Sequence, residues 1–157
     1  MSVVLLDANA VIMHGRAFSD RIRGAFEAGT TIVLPRSVEQ ELVDDVLDND
    51  HAPANHRASA RSIRKLIDDG FLLVRSPDFE TYGHLIDETR RRIADDSLPE
   101  HLVRADQYIP VIVCGLAHEN TIEVVTADRK LREIVRVFTY REDVSDQVHL
   151  RELLTVL

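Results

Sequence analysis

The sequence predicts an α/β fold built on a parallel sheet. Short apolar runs of strand length recur along the chain, segments with helical spacing of apolar residues separate them, and turn or cap residues mark many of the junctions. Strands that alternate with helices form parallel sheets with right-handed crossovers. The sequence contains no repeat, low-complexity segment or linker, so its 157 residues are expected to form one domain.

The first half of the chain is expected to contain three strands and three helices. The run over residues 3–6 is apolar throughout, which is typical of a strand that helices cover on both faces. Ser37 and Gln40 have the spacing of a capping box, which predicts a helix with an apolar stripe. The predicted elements are strands over 3–6, 31–34 and 71–74, helices over 17–28, 38–47 and 56–69, a polar loop over 48–55, and the stripe Val38, Leu42, Val46 and Val43.

The second half is expected to contain helices over 78–94 and 128–135, strands over 122–126 and 137–140, and a long apolar helix that ends near Asn120. Ser97-Leu98-Pro99 is expected to end the first of these helices. The ring of Pro110 would clash with the carbonyl of residue 106 in a regular helix. We therefore expect either a kink or a helix that begins after Asp106.

The composition excludes several classes of protein. The formal net charge of −8 argues against a general nucleic-acid coat protein, although a nuclease depends on local fields. The single cysteine, Cys114, excludes an intrachain disulfide and a thiolate zinc site. No apolar stretch is long enough to span a bilayer and no signal-like N-terminus is present, so we expect a cytoplasmic protein without a membrane partner. The ratio of 17 arginines to two lysines favours a salt-adapted or GC-rich organism.

Four acidic residues lie where a carboxylate is either a helix cap or a metal ligand: Asp7, Glu41, Asp106 and Asp128. Asp7 and Asp128 each follow a predicted strand, and the functional crevice of an open α/β sheet lies at the carboxyl ends of the strands. Asp106 stands at the head of an apolar helix stripe, and Glu41 lies at the margin of the stripe of its own helix. We expect the fold to bring these side chains together.

Gathered carboxylates require a counter-charge. Two unit charges ~4 Å apart repel each other by roughly 4 kcal/mol at an effective dielectric of ~20. Several such pairs would consume much of the stability of a domain, which is about 5–15 kcal/mol. Either some of the acids are protonated or a hard cation neutralises them. Mg²⁺ and Mn²⁺ suit a site made of carboxylates, without cysteine or a close pair of histidines.

Each acid also has a purely structural interpretation. Asp7 and Asp128 could cap helices, since Asp is common where a strand leads into a helix. Glu41 could be a solvated acid in a first helical turn, and Asp106 could pair with an arginine. The metal-site interpretation depends on the four acids as an ordered set.

The four segments that carry these acids resemble those of the PIN-domain nucleases. Residues 6–12, LDANAVI, are similar to the family's opening strand and D-x-N turn, and residues 34–42, LPRSVEQEL, to its second strand and acidic helix. Ala105-Asp106 and the helix after it resemble the third element. Residues 124–131, VVTADRKL, resemble the fourth, which is usually a T-x-D turn. The region 48–104 is longer than in the shortest members of the family.

The resemblance implies a single PIN-like domain over 1–157, an α/β/α sandwich with a five-stranded parallel sheet, and a metal-dependent ribonuclease. It also implies that Mg²⁺ or Mn²⁺ binds Asp7, Glu41, Asp106 and Asp128, while Asn9 and Thr126 orient a carboxylate or a water. Small members of the VapC kind are toxins that an antitoxin protein inhibits, whereas others process RNA without one. A homodimer stays open as well, because it is the commonest assembly.

Basic residues near the acids are the candidates for holding RNA: Arg36, Arg129, Lys130 and Arg132. The run Arg90-Arg91-Arg92 has acidic neighbours and is interpreted as a solvated helix face. Two other functions stay open. One is a catalytically inactive PIN-like scaffold that binds proteins. The other, more distant, is a haloacid-dehalogenase-like phosphatase, which would need a second aspartate where Asn9 stands.

Overall fold

The computed structural model describes residues 2–93 and 107–151. Within them, five parallel strands form one sheet in the order β3-β2-β1-β4-β5. The strands are β1 Ser2–Leu6, β2 Thr31–Pro35, β3 Leu73–Arg75, β4 Thr121–Val125 and β5 Val148–Arg151. The predicted α/β class and its five-stranded parallel sheet are confirmed.

Helices connect the strands. They are α1 Ala8–His14, α2 Phe18–Glu27, α3 Arg36–Glu39, a π-helical turn Gln40–Asp44, α4 Asp45–Asp48, α5 Ala54–Asp68, α6 Phe79–Ile93, α7 Ile109–Ala117 and α8 Arg129–Arg141. Short 3₁₀ turns lie at Gly15–Ala17 and Ser145–Gln147. In the described part of the chain, no helix is both long and apolar enough to cross a membrane.

Helices cover the sheet on both faces. Alternate residues of β1 enter different cores: Val3 and Leu5 pack with α6, α7 and α8, whereas Val4 and Leu6 pack with α1, α2, α3 and α5. All four side chains are buried. Because both faces of the sheet need apolar side chains, the sequence of β1 is apolar over residues 3–6. The architecture is the predicted α/β/α sandwich.

The prediction of a strand over 137–140 is wrong, because these residues continue α8. The buried side chains of this helix, Leu131, Ile134, Val135 and Phe138, follow helical spacing, whereas Tyr140 is exposed. The run Val137–Tyr140 is rich in residues that favour strands, and that local preference was misleading. The fifth strand lies later in the chain and pairs with β4.

The capping box predicted at Ser37 is wrong. Helix α3 begins at Arg36, directly after Pro35, and its N-terminus has no side-chain cap. The π turn then changes which residues face the core. Val38 and Val43, five residues apart, are fully buried, whereas Leu42 of the predicted stripe is half-buried.

Helix α7 begins at Ile109, so Pro110 lies in its first turn. A proline is tolerated there because the missing N–H has no partner within the helix. The expectation of a helix that begins after Asp106 is confirmed. Asp106 itself and the predicted break at Ser97-Leu98-Pro99 lie outside the described residues.

Candidate metal centre

The register between β1 and β4 brings two of the predicted acids to the same edge of the sheet. Leu6 pairs with Val125, so Asp7 and Thr126 follow side by side. The backbone N–H of Asp7 donates to the carbonyl of Val125 at 3.4 Å, which continues the sheet pairing by one residue. Asp128 lies two residues after Thr126, at the start of α8.

Asp7 is a buried carboxylate, only 4% exposed. Its Oδ1 accepts the backbone N–H of Ala10 at 2.8 Å and thereby caps α1, a helix that the sequence interpretation missed. Burial raises the pKa of Asp7, and the negative charge of Asp128 raises it further. Hydrogen bonds from Thr126, Ala10 and the backbone of Asn9 lower the pKa, but the net shift is upward. Ionisation of Asp7 is therefore disfavoured, and a cation bound to the carboxylate would relieve that cost.

Thr126 links the two acids. Its buried hydroxyl donates to the carboxylate of Asp7, and its oxygen accepts the backbone N–H of Asp128 at 3.2 Å. Asp128 is exposed, and its Oδ1 accepts the N–H of Leu131 at 3.1 Å to cap α8. Both aspartates are thus helix caps. A carboxylate has about four acceptor positions, so one capping bond leaves capacity for a metal ion.

Glu41 lies in the π turn and is half-buried. Over 2–93 and 107–151, no three His, Cys, Asp or Glu side chains lie close enough to form a metal site. Asp106 falls outside these ranges. The structure therefore brings Asp7 and Asp128 together and does not add Glu41 to them, while the full set of four acids stays a prediction.

The candidate metal ligands that the structure describes at this edge are oxygens. They are the carboxylates of Asp7 and Asp128, beside the hydroxyl of Thr126. Oxygen ligands of this kind suit Mg²⁺ or Mn²⁺ better than a soft metal. The side chain of Asn9 is exposed in the first turn of α1, and its contact with Asp7 runs through the backbone N–H. The predicted role of the Asn9 side chain, which is to orient a carboxylate or a water, stays a prediction.

The basic residues near the acids occupy different environments. Arg36 forms ion pairs with Glu39 at 2.9 Å and with Asp44 at 2.7 Å, so its charge is balanced within its own helical segment. Arg129 and Lys130 are exposed in the first turn of α8, beside Asp128, whereas Arg132 is half-buried one turn further on.

A cavity of about 950 Å³ opens at the carboxyl ends of β2 and β3. Its lining includes two residues from the sequence prediction, Arg36 and Glu41, and several that the prediction missed. Ser76 directly follows β3, and the rule that selected Asp7 would have selected it had the end of β3 been predicted correctly. The described lining is Arg36, Ser37, Gln40, Glu41, Asp45, Ser76, Pro77, Phe79, Arg90, Gln107 and Tyr108.

Comparison with known proteins finds a matching family model and a solved structure with a similar fold. The family model described as the halobacterial PIN domain matches residues 1–157. The crystal structure of VapBC2 from Rickettsia felis bound to a DNA fragment from their promoter contains a similar chain. The TM-score is 0.52 at 12% sequence identity, and the match covers 96% of this chain and 98% of that one. At an identity this low, the structural similarity shows a shared fold alone. No curated protein matches the sequence.

Proposed function

The chain belongs to the halobacterial PIN domain family, and from that premise we propose that it is a metal-dependent ribonuclease, formed by a single domain over 1–157. Members of the PIN family are nucleases. The observation that best supports the proposal is the buried Asp7, whose pKa is raised by burial and by the neighbouring charge of Asp128. A domain keeps an unfavourable buried charge of this kind most readily where function requires it.

We assign metal binding to Asp7 and Asp128, with Asp106 and Glu41 as the further predicted ligands. Mg²⁺ or Mn²⁺ at these carboxylates would polarise the phosphate and lower the pKa of a bound water, so no side-chain nucleophile is needed. Thr126 holds the Asp7 carboxylate through its hydroxyl and fixes the start of α8 through the N–H of Asp128. Both contacts keep the two carboxylates in place before substrate arrives.

Arg129, Lys130 and Arg132 are the proposed contacts for the RNA backbone, because they lie in the first turns of α8 next to Asp128. Arg36 is a weaker candidate, since Glu39 and Asp44 already balance its charge. Phosphate contacts made by exposed cations should make RNA affinity fall as salt rises.

The biological role we propose is that of a toxin with an antitoxin protein as its partner, in the cytoplasm. It is supported by the fold shared with a chain of a VapBC2 complex. A short neighbouring gene that encodes a DNA-binding protein would support this role, whereas its absence would favour RNA processing. A homodimer remains a prediction that gel filtration with light scattering can test.

The test of the nuclease activity is cleavage of a labelled single-stranded RNA with Mn²⁺ or Mg²⁺ and with EDTA. We expect the wild-type protein to cleave only with metal, and Asp7→Asn to lower the rate by at least roughly 100-fold. Asp20→Asn makes the same chemical change at an exposed site on α2 and should cleave normally. Undiminished cleavage by Asp7→Asn, or equal cleavage in EDTA, overturns the assignment.

A further inference from the structure

We propose that the cavity at the ends of β2 and β3 is a base-binding subsite, which holds one base of the RNA strand outside the acid site. The base would stack on Phe79 and donate a hydrogen bond to Oε1 of Gln107. This inference rests on the proposed function, because it supplies that site with a contact for a neighbouring nucleotide.

The position of the cavity fits this role. Arg36 and Ser76 line it directly after β2 and β3, while Asp7 directly follows β1, the neighbour of β2. Adjacent strands lie about 4.8 Å apart, so the cavity and the acids occupy neighbouring stretches of one sheet edge. A single strand bound along this edge would reach both places. The volume of about 950 Å³ is within the range of ligand sites and holds a base with room to spare.

An exposed aromatic ring forms one wall of the cavity. Phe79 is 60% exposed, so most of its ring is open to a ligand in the cavity. Its ring meets that of Tyr108 edge to face, with centroids 6.1 Å apart at 78°. This contact steadies one edge of the Phe79 ring. Exposed aromatic rings of this kind are the platforms on which proteins stack the bases of single-stranded nucleic acids.

Gln107 supplies a second and independent observation. It lines the cavity and is 6% exposed, and its buried Oε1 has no hydrogen-bond partner among the residues that the structure describes. A buried acceptor without a partner is costly, and folded proteins seldom keep one. The terminal torsion of a glutamine side chain is soft, so the amide can turn toward a donor that enters the cavity. Unpaired bases offer such donors on their Watson–Crick edges.

The charges of the cavity favour a base over a phosphate. Among the described lining residues, Arg36 and Arg90 are positive and Glu41 and Asp45 are negative. Arg36 is already paired with Glu39 and Asp44. A lining whose described side chains carry no excess positive charge gives little attraction for a phosphate, whereas a neutral base meets no repulsion there. The phosphates would instead lie toward the exposed cations of α8.

Phe79→Ala tests the stacking contact without disturbing the core, because the ring is mostly exposed. Binding is measured by fluorescence anisotropy of a labelled single-stranded RNA in EDTA, where no cleavage occurs. We expect affinity to fall roughly 5- to 100-fold, Phe79→Trp to restore it, and the dependence on salt to stay unchanged, since no phosphate contact is lost. Tyr140→Ala removes another exposed aromatic ring, on α8, and should bind as the wild type does.

Gln107→Met keeps the shape of the side chain and removes the unpaired acceptor. We expect its melting temperature to be equal to or above that of the wild type, because an unsatisfied polar group is lost, while RNA affinity falls. A lower melting temperature with unchanged affinity would show that Gln107 has a structural role and would overturn its part in the subsite.

Failure of the subsite and failure of the nuclease proposal give different results. Wild-type affinity in Phe79→Ala, or no RNA binding by the wild type in EDTA, overturns the subsite, and the cavity would then serve a partner of another class. Cleavage with metal decides the nuclease proposal separately. Phe79-dependent binding without metal-dependent cleavage would leave the subsite in place and remove the catalytic function.

Discussion

Asp7 has two opposing effects on the stability of the fold. Its Oδ1 caps α1, a contact that typically contributes about 1 kcal/mol. Its burial and the charge of Asp128 disfavour the ionised form. Asparagine caps a helix as well as aspartate does, so a neutral cap was available at this position. The retained charge is therefore better explained by a cation than by the stability of α1.

Asp7→Asn should stabilise the metal-free protein at neutral pH. Because the pKa of Asp7 is raised on folding, the protonated form stabilises the fold, and that stability is lost as pH rises through the raised pKa. The advantage of asparagine should be present at pH 7, shrink as pH falls through the raised pKa of Asp7, and be absent below the unfolded pKa of about 3.9, where aspartate is protonated in both states. Thermal unfolding in EDTA from about pH 3 to pH 8 measures it. If Asp7→Asn is less stable than the wild type at pH 7, then ionisation of Asp7 does not destabilise the metal-free fold.

The residues of the site differ in how far the sequence could predict them. Asp7, Thr126 and Asp128 follow apolar strands directly, so a local pattern marks each one. Phe79, at the start of α6, and Gln107, two residues before α7, line the same cavity only because the fold brings these segments together. No local spacing records that arrangement, and neither side chain has chemistry that stands out in a sequence.

Among the elements, those that packing decides were the hardest to predict. The stretch Val137–Tyr140 has the composition of a strand, yet the buried Phe138 continues the apolar stripe of α8. The π turn over Gln40–Asp44 has no signal in the sequence, and it moves the buried face from Leu42 to Val43. The strands β1, β2 and β4 were predicted within about one residue, because burial on both faces leaves a continuous apolar run.

Glu88 connects α6 to α8. Its carboxylate accepts two hydrogen bonds from Arg141, at 2.6 and 2.9 Å, and Arg92 binds it at 3.1 Å from within α6. The hydrogen bond from Arg141 is the main cause that lowers the pKa of Glu88 to about 2. Because this pKa is below the unfolded value, the stabilisation is complete above the ordinary pKa of 4.5 and is lost as pH falls through about 2.

Glu88→Gln should lower the melting temperature by roughly 1–4 °C at pH 7 and low salt, the range expected for an exposed ion pair in a domain of this size. The difference should vanish toward pH 2 and shrink in about 1 M salt. Glu119→Gln is the matched control, since Glu119 is exposed after the end of α7. A loss of stability that is the same at pH 2 and pH 7 would show that the contact is not ionic.

The whole molecule is acidic, with 27 Asp and Glu against 19 Lys and Arg. A net charge of −8 on one domain opposes compaction through self-repulsion, which salt screens. The sandwich architecture follows from the apolar pattern and was predictable, because each covered face of the sheet requires its own apolar layer. Net charge carries no information about that fold. The net charge instead affects how the stability of the fold depends on salt concentration.

The melting temperature of the wild-type protein should therefore rise between about 0.1 M and 2 M KCl. Screening of the net charge stabilises the whole domain, and this gain should exceed the loss from individual ion pairs such as Glu88–Arg141. Potassium chloride is preferable to sulfate, which also stabilises proteins by exclusion from their surface. A melting temperature that is flat or falls across this range would show that self-repulsion is not what limits stability.

Titration of the metal-free protein with Mn²⁺ tests most directly whether the buried Asp7 is there to hold a cation. The wild type should bind Mn²⁺ and gain unfolding free energy, about 2.7 kcal/mol when free metal is 100 times the dissociation constant. Asp7→Asn should lose both the binding heat and the gain in melting temperature, while Asp20→Asn keeps both. A wild type that does not bind Mn²⁺, or an Asp7→Asn variant that binds it equally well, would contradict a metal-dependent site at this edge of the sheet.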